Sequence, residues 1–325
     1  MSEPILIVGF GSQAQAWAAN LTDSGRDVRV ALRRGSDSRA VAGRAGHAVV
    51  DLEDALVHEP LVALLTPDET QPAIFADLVD RLVPGTSVVF AHGYNVTHDR
   101  LCSAAHVDRV LVAPKGIGPA VRRLFVEGSG VACLIGVDRD VSGEAWGRAR
   151  RLAADLGGSR AGIYESSFAE ETRADLFSEQ AVLIGGVPTL VQAAFDLLVA
   201  RGYAPEVAYF ECVHELKLIT DMVIERGFAG MFERISNTAK YGGLTVGDVV
   251  IDDGVRSKLE SILDRIESGA FATEFEAAVA EGLPGVKASI SRMRDSTIER
   301  TGREVRERME AQHVVSDSEP AADGS

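Results

Sequence analysis

The sequence predicts two folds in succession: an α/β domain with a mostly parallel sheet over residues 1–165, then an all-α domain over residues 166–312. Three observations carry this. An apolar strand at residues 4–8 runs directly into Gly9-Phe10-Gly11-Ser12-Gln13-Ala14 and a helix. Short apolar strands then alternate with helical stretches as far as Val137, the pattern of a parallel sheet with helical crossovers. From about Ser166 the strands stop and helices follow one another with short connections. With 325 residues, 46% of them hydrophobic, each domain can bury a core.

The first turn has the Gly-x-Gly-x-x-Ala spacing of a Rossmann dinucleotide site. Gly9 makes the tight turn, Gly11 lets a pyrophosphate approach, and Ala14 lets helix pack on strand, with the diphosphate at the helix N-terminus. The alternative is a glycine turn of such a sheet without a ligand. A second strand follows at residues 27–32, and its end is where an acid would hold the ribose hydroxyls of NAD. This chain has Arg33-Arg34-Gly35-Ser36-Asp37-Ser38 there instead. A guanidinium forks onto phosphate and a serine donates to it, so NADP is favoured, with Asp37 running against the preference. The bland alternative is a solvated basic turn in which Ser36 or Ser38 caps the next helix.

Strands at residues 61–65, 87–91, 110–113 and 131–137 extend the sheet. Three of them end in polar turns: Thr66-Pro67-Asp68-Glu69-Thr70-Gln71, His92-Gly93-Tyr94-Asn95 and Pro114-Lys115-Gly116-Ile117-Gly118. Ligands of open parallel sheets bind at the carboxyl ends of strands, where these turns gather. Thr66-Pro67-Asp68 also reads as a helix N-cap. His92 and Lys115 are the stronger candidates for a role in the cleft.

Helices are expected over 167–185, 188–201, 205–226, 229–240, 254–268, 270–281 and 285–311. The one from Pro205 is apolar round most of its circumference, which marks a buried helix. Two helices carry paired carboxylates four residues apart, Asp175 with Glu179 and Glu211 with Glu215. On an α-helix that spacing is about 40° of rotation and one turn of rise, so each pair points at one site. The stripes continue through Val182 and Leu183, and through Val207, Ala208, Leu218, Ile219 and Met222. Acids on apolar faces repel one another and lose hydration unless cations compensate them, which points to magnesium. The opposing reading is a solvated charged face, to which Glu165, Glu170, Glu171 and Arg173 are assigned.

A net charge of −15 argues against nucleic acid as a partner. Cys102, Cys133 and Cys212 fall in no metal or redox spacing and leave an odd number, as in a reducing compartment. No leader precedes the first strand, and no apolar run approaches the roughly 18 residues that a membrane helix needs, so a cytoplasmic protein without membrane contact is expected. Residues 313–325 are acidic and small and should be disordered.

Gly9-Phe10-Gly11-Ser12-Gln13, Ala113-Pro114-Lys115-Gly116, the stretch Asp175 to Leu183, the stretch Ala208 to Leu218 and Ile235-Ser236-Asn237-Thr238-Ala239 together resemble short-form ketol-acid reductoisomerase, also called acetohydroxy acid isomeroreductase. The resemblance runs in order over residues 4–245 and more loosely to 311, and the two acidic motifs are its most specific part. It implies two magnesium ions on Asp175, Glu179, Glu211 and Glu215, a substrate contact at Ser236, and catalytic roles for His92, Lys115 and Glu215. NADP contacts would fall on Phe10, Gly11, Ser12, Gln13, Arg33, Ser36, Ser38, Asp68, Glu69, Thr70, Gln71 and Gly118. The implied reaction is a magnesium-dependent alkyl migration in a 2-acetohydroxy acid such as 2-acetolactate, followed by NADPH reduction to 2,3-dihydroxyisovalerate in branched-chain amino acid synthesis. A homodimer or higher homo-oligomer through the helical domain is implied as well, with part of each site contributed by the partner chain.

The sequence departs from the family pattern at several points. Phe10 and Ala14-Gln15-Ala16-Trp17 replace a tyrosine and a histidine-containing run, and the short N-terminal extension common in the family is missing. Phe232-Glu233-Arg234 and Lys240 exchange charge on either side of Ser236. These changes raise the alternative of a paralogue with the same metal and NADPH chemistry on a different hydroxy-keto acid. A metal-free NADP-dependent reductase and a non-catalytic NADP-binding protein are further alternatives, both opposed by the four acids.

Overall fold

A computed structural model describes residues 3–53 and 58–316, with side-chain surroundings given as far as residue 310. Eight strands form one sheet: β1 (Ile5–Val8), β2 (Val28–Leu32), β3 (Ala48–Asp51), β4 (Leu61–Leu64), β5 (Ser87–Phe90), β6 (Asp108–Pro114), β7 (Cys133–Arg139) and β8 (Ile163–Glu165). Their order is β3-β2-β1-β4-β5-β6-β7-β8. All neighbours run parallel except β6 and β7, which are antiparallel. Chain direction across the sheet reverses at β1, which has β2 on one side and β4 on the other, so the crevice between their carboxyl ends is the expected ligand position. The sequence reading missed β3 and β8. Both lie at sheet edges, are only three or four residues long, and are mostly half-buried or exposed, so neither has the continuous apolar run of the central strands.

The crossover helices of this first unit are α1 (Ser12–Asp23), α2 (Ser38–Arg44), α3 (Gln71–Val79), α4 (Tyr94–Thr97), α5 (Gly118–Val126) and α6 (Ala145–Asp155), followed by α7 (Phe168–Ser178). Alternate residues of β1 enter opposite cores: Ile5 and Ile7 pack with Trp17, Leu21 and Leu152, whereas Leu6 and Val8 pack with Phe75, Leu78 and Phe168. Burial on both faces explains why the strands read as uninterrupted apolar runs. Fully buried Asp108, at the start of β6, accepts from Ser87 Oγ at 2.6 Å, Val141 N at 2.7 Å and both Ser142 N and Oγ at 2.9 and 2.7 Å. It thereby ties the β7–α6 connection to the sheet.

Compactness divides the chain into Met1–Asp175 and Leu176–Ser325. The second unit contains a π-helical turn (Glu179–Leu183), α8 (Gly186–Ala200), α9 (Pro205–Tyr209), a second π turn (Phe210–His214), α10 (Glu215–Arg234), α11 (Asn237–Val250), α12 (Asp253–Glu267), α13 (Ala270–Ala280), α14 (Pro284–Arg294) and α15 (Thr297–Ser316). Residues 313–316 of the expected disordered tail continue α15, and the rest of that tail lies outside the described residues. The helix expected over 285–311 is two helices. Ser296 Oγ accepts from Glu299 N at 3.4 Å, a start signal overlooked in the sequence. The boundary expected between residues 226 and 229 falls at Gly227, whose φ of 72° and ψ of 172° are non-helical and divide α10 into two helical pieces.

Two expectations are corrected here. The helical run from Pro205 is not buried by this chain: Met231 is the only buried residue of α10, while Leu218, Ile224 and Phe228 are 56%, 78% and 73% exposed. Nor is a long apolar run absent. The continuous helical stretch Phe168–Ala200 contains an 18-residue window of mean hydropathy 1.8, of which only 6% is buried, enough by length and composition to cross a membrane. The π turn and Pro188 inside it had disguised its length.

Candidate active site

The carboxyl ends of β5 and β6 present His92 and Lys115, and α7 descends onto them. Gly93 permits this descent. A Cβ there would lie 2.4 Å from Thr172 Oγ1 and 2.6 Å from the Phe168 carbonyl. The approach is latched by Thr97 Oγ1 and Thr172 Oγ1 at 2.9 Å and by Gly93 N donating to Glu171 Oε2 at 2.9 Å. It also delivers Asp175. Lys115 Nζ donates to Glu171 Oε1 at 2.8 Å and to Asp175 Oδ1 at 3.0 Å. His92 Nδ1 lies 3.1 Å from Glu171 Oε2 and 3.4 Å from Asp175 Oδ2. One ligand atom each from His92, Glu171 and Asp175 falls within 4.8 Å of the others, the spacing of a cation site.

Glu171, assigned to a solvated face by its sequence, has a side chain only 1% exposed and sits at the centre of this group. The sequence signal that could have found it is its place four residues before Asp175, one helical turn back on the same face. Burial alone would raise the Glu171 pKa, but the hydrogen bonds and charges of His92 and Lys115 hold it below the usual carboxylate value. The partners respond reciprocally. Burial would lower His92 and Lys115, yet Glu171 and Asp175, joined at His92 by Asp68, push both pKa values up. Burial raises Asp68 itself, with His92 opposing and Glu69, Glu171 and Asp175 adding to the rise. Asp68, expected as a cofactor contact, therefore feels the charges of the carboxylate cluster.

A cleft of about 660 Å³ opens at the carboxyl ends of β1, β2 and β4. Gly9, Phe10, Gly11, Arg33, Ser36, Ser38, Glu69 and Thr70 line it. Gly9 takes φ 100°, and a Cβ on it would lie 2.8 Å from the Leu65 carbonyl, so the turn admits only glycine. A Cβ on Gly11 would meet nothing within 4 Å, leaving open space over the helix N-terminus. Thr66 Oγ1, at the cleft edge, is buried without a hydrogen-bond partner among the described residues. The open glycine cradle, the orphaned hydroxyl and the arginine-serine rim suit a phosphorylated dinucleotide.

Other expected contacts lie elsewhere. Ser12 and Gly118 line a neighbouring groove between α1 and α5, which also touches Phe10, and half-buried Gln13 borders neither cavity. Gln71 is 5% exposed and braces the sheet edge, donating to the Thr66 carbonyl at 2.9 Å and accepting from Asn95 Nδ2 at 3.0 Å.

In the second unit, Glu179 opens one π turn and Glu211 lies in the other, immediately before Glu215. The 40° rotation inferred from α-helical geometry therefore does not hold from Glu211 to Glu215, whereas Asp175 to Ser178 is regular α-helix and the widening there begins only at Glu179. Bonds from residue i to i+5, as from Ile184 N to the Glu179 carbonyl at 2.9 Å, widen the turn and re-aim its side chains. Glu211 and Glu215 are exposed, and the His214 ring meets Phe210 edge-on at 5.7 Å. Ser236 caps α11, its Oγ accepting from Ala239 N at 3.2 Å.

Residues 1–162 match the family model described as acetohydroxy acid isomeroreductase, NADPH-binding domain, and residues 168–311 match ketol-acid reductoisomerase, C-terminal domain. The chain is 42% identical over 304 residues to "Ketol-acid reductoisomerase (NADP(+))" of Sulfurisphaera tokodaii, covering 93% of this chain and 92% of that one. Among solved structures it resembles an NADH-preferring ketol-acid reductoisomerase from an uncultured archean, with 39% identity, a TM-score of 0.91 and 94% of each chain covered. A semialdehyde dehydrogenase NAD-binding protein from Cupriavidus necator, with calcium and NAD, shares 18% identity and a TM-score of 0.62 over 82% of this chain and 97% of that one. That last likeness is one of fold alone.

Proposed function

Because the chain belongs to the ketol-acid reductoisomerase family, we propose that it carries out magnesium-dependent alkyl migration in a 2-acetohydroxy acid, 2-acetolactate first, and then NADPH reduction to the 2,3-dihydroxy acid. The observation that carries this is the His92–Lys115–Glu171–Asp175 group at the same carboxyl edge of the sheet as the Gly9–Gly11 turn. The relatives differ in nicotinamide, one named for NADP⁺ and one NADH-preferring; Arg33, Ser36 and Ser38 on the cleft rim favour NADPH here.

Divalent cations held by Asp175, Glu179, Glu211 and Glu215 would supply Lewis acidity at the substrate's alcohol and ketone oxygens, and the dinucleotide the hydride. The donor set is all oxygen, as magnesium requires. Lys115 pairs with both Asp175 and Glu171 and compensates their charge at the site's edge. His92 approaches the same carboxylates from the sheet side, with its ring orientation set by Glu171 and, against the effect of burial, its pKa pushed up by Glu171, Asp68 and Asp175. Glu215 is the carboxylate assigned to take up and return the alcohol proton. Ser236, fixed at the start of α11, offers a hydroxyl to the substrate. The apolar faces left uncovered on α8 and α10 support a homodimer through the helical unit that completes each site. The free cysteines fit a reducing, cytoplasmic setting.

A second reading, a paralogue acting on another hydroxy-keto acid, is motivated by the charge exchange at Glu233, Arg234 and Lys240 around Ser236. One assay separates the readings. With 2-acetolactate, Mg²⁺ and NADPH, the purified enzyme is expected to oxidise NADPH, and both chelation and Glu211→Gln should stop turnover while NADPH binding stays within about twofold. Turnover of only a bulkier analogue would favour the paralogue. Undiminished turnover under chelation would overturn the metal assignment.

A further inference from the structure

We propose that Asp51 sets how strongly the chain prefers the 2′-phosphorylated dinucleotide, by holding back two of the three arginines around the end of β2. The inference rests on the NADP reading above. β3 pairs with β2 so that Asp51 lies opposite Leu32, the last residue of β2. Asp51 thus stands one strand away from the position, at the end of β2, where NAD-binding sheets of this class carry an acid, and its neighbour Leu52 lines the cleft.

Asp51 is already occupied there. Oδ1 lies 2.8 Å from Arg39 Nη2, and Oδ2 accepts from Arg34 Nε at 3.2 Å. Arg39 is pinned further by donating from Nη1 to the Leu32 carbonyl at 3.0 Å, and the Arg34 backbone N–H donates to Glu53 Oε1 at 3.4 Å. Arg33 differs. It is exposed, lines the cleft with Ser36 and Ser38, and has no ion pair among the described residues.

Of three guanidiniums, one is left to fork onto a 2′-phosphate, and it acts beside a carboxylate that repels that phosphate. The 2′-hydroxyl of NAD carries no charge and feels little of this. Asp51 therefore lowers affinity for the phosphorylated nucleotide selectively, and Arg33 opposes it. The Asp51 and Arg39 side chains are 34% and 30% exposed, so the effect is screened by water and salt and is moderate in size.

The test measures dissociation constants of NADP⁺ and NAD⁺ by calorimetry on the full-length protein at low salt, with circular dichroism to verify folding. Asp51→Asn is expected to tighten NADP⁺ by about threefold to tenfold and to leave NAD⁺ within about twofold, with the difference shrinking in molar salt. Asp51→Glu should keep the wild-type ratio, and Arg33→Ala should weaken NADP⁺ alone. If Asp51→Asn does not fold, Asp51→Ser carries the same expectation. Weaker NADP⁺ binding by the neutral variants would overturn the inference, since Asp51 would then be aiming the arginines at the phosphate. Equal shifts for both nucleotides, or no shift, would overturn it too. A wild-type protein that binds neither nucleotide would instead bring down the cofactor reading beneath it.

Discussion

At the scale of single residues, Glu171 is the position whose meaning changed most. Its carboxylate accepts from Gly93 N and Lys115 Nζ and lies against His92, so the burial that should neutralise it is offset by three donors. Glu171→Gln removes the charge that Lys115 and His92 share, and kcat is expected to fall by about 10²- to 10³-fold in steady-state assays, with nucleotide affinity nearly unchanged. The same group makes stability depend on pH. Glu171 has a lowered pKa, so its contribution is present above the ordinary carboxylate value and is lost as pH falls through the folded value. His92 has a raised pKa, so its contribution is full below about 6.5 and is lost as pH rises through the folded value. In chelated buffer the thermal midpoint of wild type minus that of Glu171→Gln should therefore be greatest between about pH 4.3 and 6.5 and smaller on either side. A difference independent of pH would refute this account.

At the scale of elements, each acidic pair has one member on a π turn, Glu179 and Glu211, and the chain carries the means to end one of these turns. A Cβ on Gly185 would lie 1.9 Å from the Gln180 carbonyl, and one on Gly186 2.1 Å from that of Ala181. Adjacent glycines let α8 start directly after the widened turn. Gly185→Ala is expected to unwind the turn toward α-helical geometry and so disturb the segment that Glu179 opens. The predicted outcome is a loss of about 1–3 kcal/mol in urea unfolding and weakened Mg²⁺ binding by calorimetry. Retained Mg²⁺ affinity would show that the turn's width does not matter to the site.

At the scale of the whole molecule, the two units contrast in how well they cover themselves. The sheet unit buries Ile5, Leu6, Ile7 and Val8 completely, whereas the helical unit leaves Ile224, Phe228, Val249 and Tyr241 more than 70% exposed, at 78%, 73%, 73% and 74%. An apolar surface of that extent is unstable in water without a cover. Light scattering on the purified protein should give at least twice the chain mass of 34.6 kDa, and Ile224→Asp with Phe228→Asp should yield monomers lacking isomeroreductase activity. A fully active monomeric wild type would dismiss the shared-site proposal.

Much of this was legible in the sequence because it depends on local pattern. Period-two and uninterrupted apolar runs marked six of the eight strands, Gly9 and Gly11 marked the dinucleotide turn, and the acid pairs marked the chemistry. The edge strands β3 and β8 were missed because they lack that pattern. The α-helical rotation assigned to Glu211 and Glu215 failed because a π turn spaces its side chains differently from an α-helix and has no composition of its own to announce it. What only the tertiary structure decided is which side chains meet across long sequence separations. Glu171 looked like any charged residue on a helix face until Gly93 let that helix settle against β5, and Asp51 gained its arginines through strand pairing. Local sequence determines element type and candidate chemistry, because φ/ψ preference and hydrophobic period act over a few residues. Burial and charge pairing are set by packing between distant segments, and so are the pKa values that make such a site work.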